Sequence, residues 1–147
     1  MTVTTLNSSR FGQLEVPTAS VIEFPSGLIG LAGSHWALLA RDEDSAFVWL
    51  HSVDDSELAI PVTNPWRFFA DYAVELSNDE ASRIGIEDAD QTSVYVTVRA
   101  TEKLGDFTAN LRAPILIANG KGHQVINTAG DFPFKAPLFD NLSTEAA

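Results

Sequence analysis

Short apolar runs recur at intervals close to ten residues along this chain, separated by Gly, Pro, Asn or Asp. Such spacing marks consecutive short strands joined by tight turns. It predicts strands at Thr2–Leu6, Phe11–Val16, Ser20–Phe24, Trp36–Ala40, Ala46–His51, Leu58–Thr63, Tyr72–Leu76, Thr92–Thr101, Phe107–Leu111, Ile115–Asn119 and Gln124–Asn127. In Thr92–Thr101, Val94, Val96, Val98 and Ala100 share one face while Ser93, Tyr95, Thr97 and Arg99 share the other. That period of two predicts a strand with one side in the core and one side in water. Ala46–Leu50 is apolar on both faces and predicts a strand covered on both sides. Asn119-Gly120 supplies the positive φ angles of a two-residue hairpin. Pro61 has no N–H to give to a ladder, so Leu58–Thr63 is expected to be an edge or to carry a bulge.

One segment departs from this pattern. Ser77 is placed to cap a helix with Glu80 reaching back to its amide, and Asp79 and Glu80 suit the positive end of the helix dipole. Gly85 follows as a residue able to end that helix in the left-handed conformation. The fold class expected is all-β and mainly antiparallel: a small closed or nearly closed β-barrel-like body with one short helix near residues 78–84. Closure suits so many short strands because it removes exposed edges. No repeat, linker or shift of composition divides the chain, so residues 1–147 read as one domain. Its core is expected at about residues 10–140, with the first few residues and 141–147 loose. Phe132–Phe139, apolar but broken by Pro133 and Pro137, is expected to lie on the body as an extended strip.

Charge narrows the range of partners. The chain of 147 residues carries 20 acids against 9 bases, a net charge of −11. Residues 42–90 hold thirteen of the acids and only Arg67 and Arg83 as bases, so this third of the chain accounts for the whole excess. An acidic surface repels phosphate backbones and forgoes counterion release, which argues against direct binding to nucleic acid or to an anionic membrane. It suits instead a basic or mixed-charge protein. There is no Cys, so disulfides, thiolate metal sites and thiol nucleophiles are excluded. The N-terminus lacks a basic and then apolar leader, and no run reaches eighteen apolar residues, so the expectation is a cytoplasmic protein without a membrane span.

Candidate chemistry is sparse. His35, His51 and His123 stand far apart without a carboxylate at ligand spacing, and His51 alternates with Phe47 and Trp49 as a packed strand residue would. Asp42-Glu43-Asp44 and Asp54-Asp55…Glu57 lack the oxygen spacing and distal Glu of a calcium loop. Gly27, Gly30 and Gly33 match neither a dinucleotide fingerprint nor a phosphate loop, and there is no nucleophile-elbow serine. No catalytic, cofactor-binding or metal-binding residue is expected. The partner-binding candidates are Asp54, Asp55, Glu57, Leu58, Pro61, Trp66, Phe68 and Asp71. They combine an acidic flank, a strand edge and large aromatics around Leu58–Thr63. Phe68 and Phe69 are more readily read as core. Asn110 and Arg112 are expected to satisfy internal hydrogen bonds.

Several stretches taken together resemble the FliW flagellar assembly factors. Thr108-Ala109-Asn110-Leu111-Arg112-Ala113-Pro114-Ile115 is the most characteristic. Others are Phe11-Gly12, Phe24-Pro25-Ser26-Gly27-Leu28, Ser52-Val53-Asp54-Asp55, Leu58-Ala59-Ile60-Pro61-Val62, Phe68-Phe69-Ala70-Asp71-Tyr72, Gly85-Ile86-Glu87, Gln124-Val125-Ile126 and Pro137-Leu138. The chain departs from the family pattern at Leu31, Ile60, Asn64, Ala70 and Ala136, the last standing where a His is usual. The resemblance implies a cytoplasmic, non-enzymatic, barrel-like protein without cofactor. It implies binding to the translational regulator CsrA, away from its RNA-binding surface, which relieves repression of flagellin mRNA. It also implies binding to flagellin, the two partners excluding each other. The alternative is a β-barrel small-molecule-binding protein or enzyme with an enclosed, apolar pocket and perturbed carboxylates.

Overall fold

The computed structural model describes residues 2–9, 11–25, 28, 34–39, 47–75, 77–79, 82, 92–103, 106–118 and 120–138. Eleven strands follow in chain order: β1 Val3–Ser8, β2 Gly12–Pro17, β3 Ile22–Glu23, β4 His35–Leu39, β5 Phe47–Ser52, β6 Ala59–Thr63, β7 Ser93–Arg99, β8 Thr108–Ala109, β9 Ile115–Ala118, β10 Lys121–Gln124 and β11 Ala136–Pro137. Strands β3, β4, β5, β6, β7, β9 and β10 pair in that order, and β10 pairs back onto β3, closing a seven-stranded barrel. Every pairing is antiparallel except the last, where Lys121 lies opposite Glu23. The expected all-β barrel is thus the observed one. Asn78, Asp79 and Ser82 are helical within the expected 78–84 helix; Glu80, Gly85 and the remainder lie outside the described residues.

The barrel interior is filled. Phe24, Trp36, Leu50, Val62 and Ile115 are fully buried there, with Tyr95, Leu38, Val48 and Ile60 packed on them. A second cluster lies on the outer wall of β7. Val96, Val98, Ala109, Leu111, Tyr72, Ala136 and Leu138 are buried in it beneath the chain segments around Phe68 and Phe132. The two faces of β7 differ as the alternation predicts: Val96 and Val98 are buried in the outer cluster, while Ser93 and Arg99 are exposed and Tyr95 and Thr97 half-buried on the face that turns inward. In a closed barrel one face always looks inward, and here the outer face is covered as well. Strand β5 is covered on both sides as expected, with Phe47 in the outer cluster and Val48 in the inner.

Hairpin β1–β2 docks on this body. Gly12 sits at φ 79° where the hairpin reverses, and Phe11 meets the rings of Trp49 and His51 at 6.0 and 6.4 Å. Leu6 is fully buried, so the core begins before residue 10. His51, 1% exposed, bonds the Ser52 carbonyl through Nδ1 and Ser8 Oγ through Nε2, each at 2.8 Å. Ser8 Oγ also accepts the Phe11 N–H at 2.9 Å. The histidine is the packed residue its alternation predicted.

Backbone alternation explains where the sheet forks. The Ser52 N–H donates to the Leu58 carbonyl at 2.9 Å, so along β6 the even residues bond β5 and the odd residues face β7. The Asn110 N–H donates to the Thr97 carbonyl at 3.0 Å, so on β7 the odd residues bond β8 and the even residues face β6. Thr63 opposite Val96 is then a bonded pair, and pairing stops at Val62 opposite Thr97. The next bonded pair would be Pro61 with Val98, and Pro61 has no N–H to donate. β6 and β7 diverge there. Pro61 lies opposite Trp49 of β5 on its other side, so the strand is internal at one end and an edge at the other.

Three expected strands are shifted or absent. The hairpin register Ala118 opposite Lys121, with Gly120 at φ 76°, starts β10 immediately after the turn, so it ends at Gln124 instead of beginning there. Tyr72–Glu75 is not a strand, because Asn127 Oδ1 accepts the Glu75 N–H and Asn127 Nδ2 donates to the Ala73 carbonyl. A side chain occupies the backbone that a ladder would need, and Leu76 lies outside the described residues. β8 ends at Ala109 because Asn110 Oδ1 accepts the N–H groups of Arg112 and Ala113, both at 3.1 Å. Such local side-chain bonds compete with strand pairing. The strip Phe132–Phe139 is partly a strand: Ala136 lies opposite Ala109 in β11.

Candidate functional site

The motif Thr108–Ile115 is one strand interrupted. β8 and β9 pair with the same side of β7, with Val98 opposite Ala109 and Tyr95 opposite Ile115. Residues 111–114 are the excursion between them. The Leu111 carbonyl accepts from Tyr72 Oη at 2.8 Å, the Arg112 carbonyl from the Asn127 N–H at 2.7 Å, and the Pro114 carbonyl from the Val125 N–H at 3.1 Å. Arg112 Nε donates to the Phe132 carbonyl at 3.1 Å. The motif gathers three distant segments, so Asn110 and Arg112 serve the fold, as expected. Sequence reasoning missed Asn127, whose buried side-chain amide makes four further hydrogen bonds, to Glu75, Tyr72, Ala73 and Ala129. The only signal was its place at the end of an apolar run.

Tyr72 carries the one clear perturbation among the described residues. Burial pushes its phenol from 10.0 up to about 12, offset in part by the hydrogen bond from Asn127. The neutral form is favoured in the fold, so its contribution is fully present below pH 10. It is lost as pH rises through about 12, because the unfolded chain releases the proton first. We expect about 3 kcal/mol of stability to disappear over that window. Urea unfolding of Tyr72→Phe beside the parent checks this: the variant is weaker below pH 10, and the difference vanishes toward pH 12. A constant difference would remove the assignment.

The structure divides the predicted partner-binding residues into two groups. Asp54, Asp55, Glu57 and Leu58 form the turn between β5 and β6. Trp66, Phe68 and Asp71 lie beyond the other end of β6, a strand length of about 16 Å away. Pro61 lies between them, half-buried at the fork. The acidic turn is held stiffly. Ser52 Oγ accepts the N–H groups of Asp54 and Asp55 at 3.1 and 3.0 Å. Asp55 Oδ1 accepts the Glu57 N–H at 2.9 Å, and the Ser56 carbonyl accepts the Ser9 N–H at 2.9 Å. Asp55 is thereby committed to the turn itself. Asp54 and Glu57 are exposed, and Asp54 approaches His35 Nδ1 at 3.9 Å. Leu58 packs against the barrel core.

At the far end, Asn64 Oδ1 caps the 3-10 turn Pro65–Arg67 by accepting the Trp66 N–H at 2.9 Å. Asn caps as well as Asp does, so this departure from the family pattern leaves the turn intact. Trp66 is 44% exposed, with its indole N–H on the Tyr72 carbonyl at 2.8 Å. Phe68 stacks on Phe47 at 5.8 Å, and Asp71 is exposed. Ala136, in place of the usual His, is buried in the outer cluster. Ala70 is exposed, and Leu31 lies outside the described residues.

A groove of about 630 Å³ opens at the fork between β6 and β7. Ile60, Thr97, Arg99, Ile126, Phe134 and Lys135 are among its walls, and no carboxylate or histidine among the described residues lines it. Among the described residues no cluster of His, Asp or Glu could hold a metal. No described helix is long and apolar enough to cross a membrane.

The chain is thus a small β protein built on a closed seven-stranded barrel, with a stiff acidic turn and an open groove on its surface. The model of the FliW protein family matches residues 5–138, and the chain belongs to that family. It is 36% identical over 125 residues to the flagellar assembly factor FliW of Alkaliphilus metalliredigens, covering 82% of this chain and 77% of that protein. It is 33% identical over 141 residues to the flagellar assembly factor FliW of Caldanaerobacter subterraneus, covering 93% and 94%. The crystal structure of a flagellar assembly factor FliW superposes with a TM-score of 0.82 at 27% identity, covering 92% of this chain and 96% of that one.

Proposed function

We propose that this protein is a non-enzymatic flagellar assembly factor acting in the cytoplasm by switching between two protein partners. One is a CsrA-type translational regulator, whose repression of flagellin mRNA it relieves. The other is flagellin, which displaces the regulator. Family membership supports the flagellar role. The single observation that carries the mode of binding is the acidic turn, whose backbone is pinned at four points so that Asp54 and Glu57 stand in water with little freedom to lose. Preorganised charge of that kind speeds encounter with a basic protein and selects among partners.

Calorimetry with each cognate partner tests the switch: each binds, and saturation with flagellin abolishes the heat of regulator binding. Absence of heat with both partners overturns it. The acidic turn is tested by Asp54→Lys with Glu57→Lys, leaving Asp55 to hold the turn. Association with the regulator is expected to slow about tenfold at low salt and to lose most of its salt dependence. An unchanged association rate refutes docking through this turn while leaving the flagellar role standing.

A further inference from the structure

We propose that the fork between β6 and β7 is a strand-acceptor groove for a short extended segment of a partner protein, one that alternates apolar side chains with one or two carboxylates. The proposal is independent of the partner switch and of the acidic turn.

The backbone argument comes first. Beyond Val62 opposite Thr97 the two strands no longer pair, and alternation turns the polar backbone of Ala59 on one lip, and of Val98 and Ala100 on the other, toward the gap. Pro61 contributes a carbonyl on the first lip and keeps the strands from zipping together. An added strand supplies the partners that Pro61 denies them, the basis of peptide recognition by strand addition. The walls define the side chains. Ile126 and Phe134 are large apolar residues left 47% and 57% exposed, and they line the same groove as Ile60. These suit alternate apolar residues of an extended ligand.

Charge defines the rest. Arg99 and Lys135 line the groove, no acidic side chain among the described residues does, and the Arg112 guanidinium lies 5.4 Å from the centre of the Phe134 ring. Neither Arg99 nor Lys135 has an ion-pair partner among the described residues. A local basic site on a chain of net charge −11 attracts a carboxylate within the screening length of about 8 Å. The molecule as a whole, with Asp54 and Glu57 at the same end of β6, repels a polyanion. The ligand that satisfies both conditions is a short acidic and apolar segment, and nucleic acid is rejected.

The test is selection of a random heptapeptide library on the full chain, in parallel with Arg99→Glu/Lys135→Glu, whose two positions are exposed and leave the core untouched. Enriched sequences should alternate apolar and acidic residues. A synthetic peptide of the leading sequence should bind the double variant at least tenfold more weakly and Asp54→Lys/Glu57→Lys no more weakly than the parent. On binding, amide exchange at Val98 and Ala100 should slow at least tenfold, a readout that mere electrostatic adhesion leaves unchanged. The proposal is overturned by absence of enrichment, by enriched sequences without acidic residues, by equal affinity for the double variant, or by unaltered exchange at those two amides.

Discussion

Replacing Asn127 by Ala is expected to lower the unfolding free energy by about 3–5 kcal/mol, because one buried amide joins parts of the chain far apart in sequence. Asn127 Oδ1 accepts the N–H groups of Glu75 and Ala129, both at 3.0 Å. Its Nδ2 donates to the Ala73 carbonyl at 2.8 Å and to Tyr72 Oη at 3.2 Å. Asn127 is 3% exposed, and Tyr72 is buried with it. Truncation removes the net worth of each bond and also leaves buried groups without partners, the larger cost. At this chain length the midpoint of thermal unfolding should fall by about 10 °C. Thr128→Ala is the control. Thr128 Oγ1 donates to the Glu75 carbonyl at 3.1 Å from an exposed position, so its loss should cost less than about 1 kcal/mol. Equal costs for the two variants would show that the amide is not the junction described. Because Asn127 and Tyr72 together anchor the segment that begins at Trp66, Asn127→Ala should also loosen that end of the surface before the barrel unfolds.

The second large effect is expected from the smallest residue of the barrel. Gly122 in β10 faces the tip of Phe24, and a Cβ added there would stand 2.3 Å from Cζ, well inside contact distance. Phe24 is fully buried among Trp36, Leu50 and Ile115, so its ring cannot swing aside without displacing its neighbours. Gly122→Ala should therefore destabilise by about 3 kcal/mol through overpacking. Phe24→Leu shortens the ring that the methyl strikes. In the double variant the two costs should fall short of their sum by about 1–3 kcal/mol. Additive costs in chemical unfolding would show that the methyl finds room elsewhere. Gly120 two residues earlier differs: nothing lies within 4 Å of its Cβ position, and glycine is required there by φ 76°.

Much of the architecture was legible because period, turn chemistry and chain punctuation are local. The alternation of β7, the Asn119-Gly120 turn and the apolar Phe47–Leu50 run each carry their meaning within a few residues. Pro61 was legible too, as a residue that must meet an unpaired edge, since a missing N–H is a property of the residue and not of its neighbours. Charge was legible as an excess and as a stretch of chain. The candidate site was legible only in part. Asp54, Asp55, Glu57 and Leu58 are adjacent in sequence and remain together, while Trp66, Phe68 and Asp71 are carried to the other end of β6. Sequence proximity across a strand is separation in space.

The strand beginning at Lys121 followed from the hairpin turn and was placed three residues late. Tyr72–Glu75 could not have been read correctly, because what prevents it from pairing is an amide some fifty residues further on. The same holds for the groove: Arg99, Ile126, Phe134 and Lys135 share no local pattern and are brought to one groove from three separate stretches of the chain. What the amino-acid order determined alone were the elements with short-range causes, the all-β class, the charge balance and the family. Which side chains stand beside one another was decided by closure of the barrel, since long-range hydrogen bonds and packing depend on partners that no window of sequence contains.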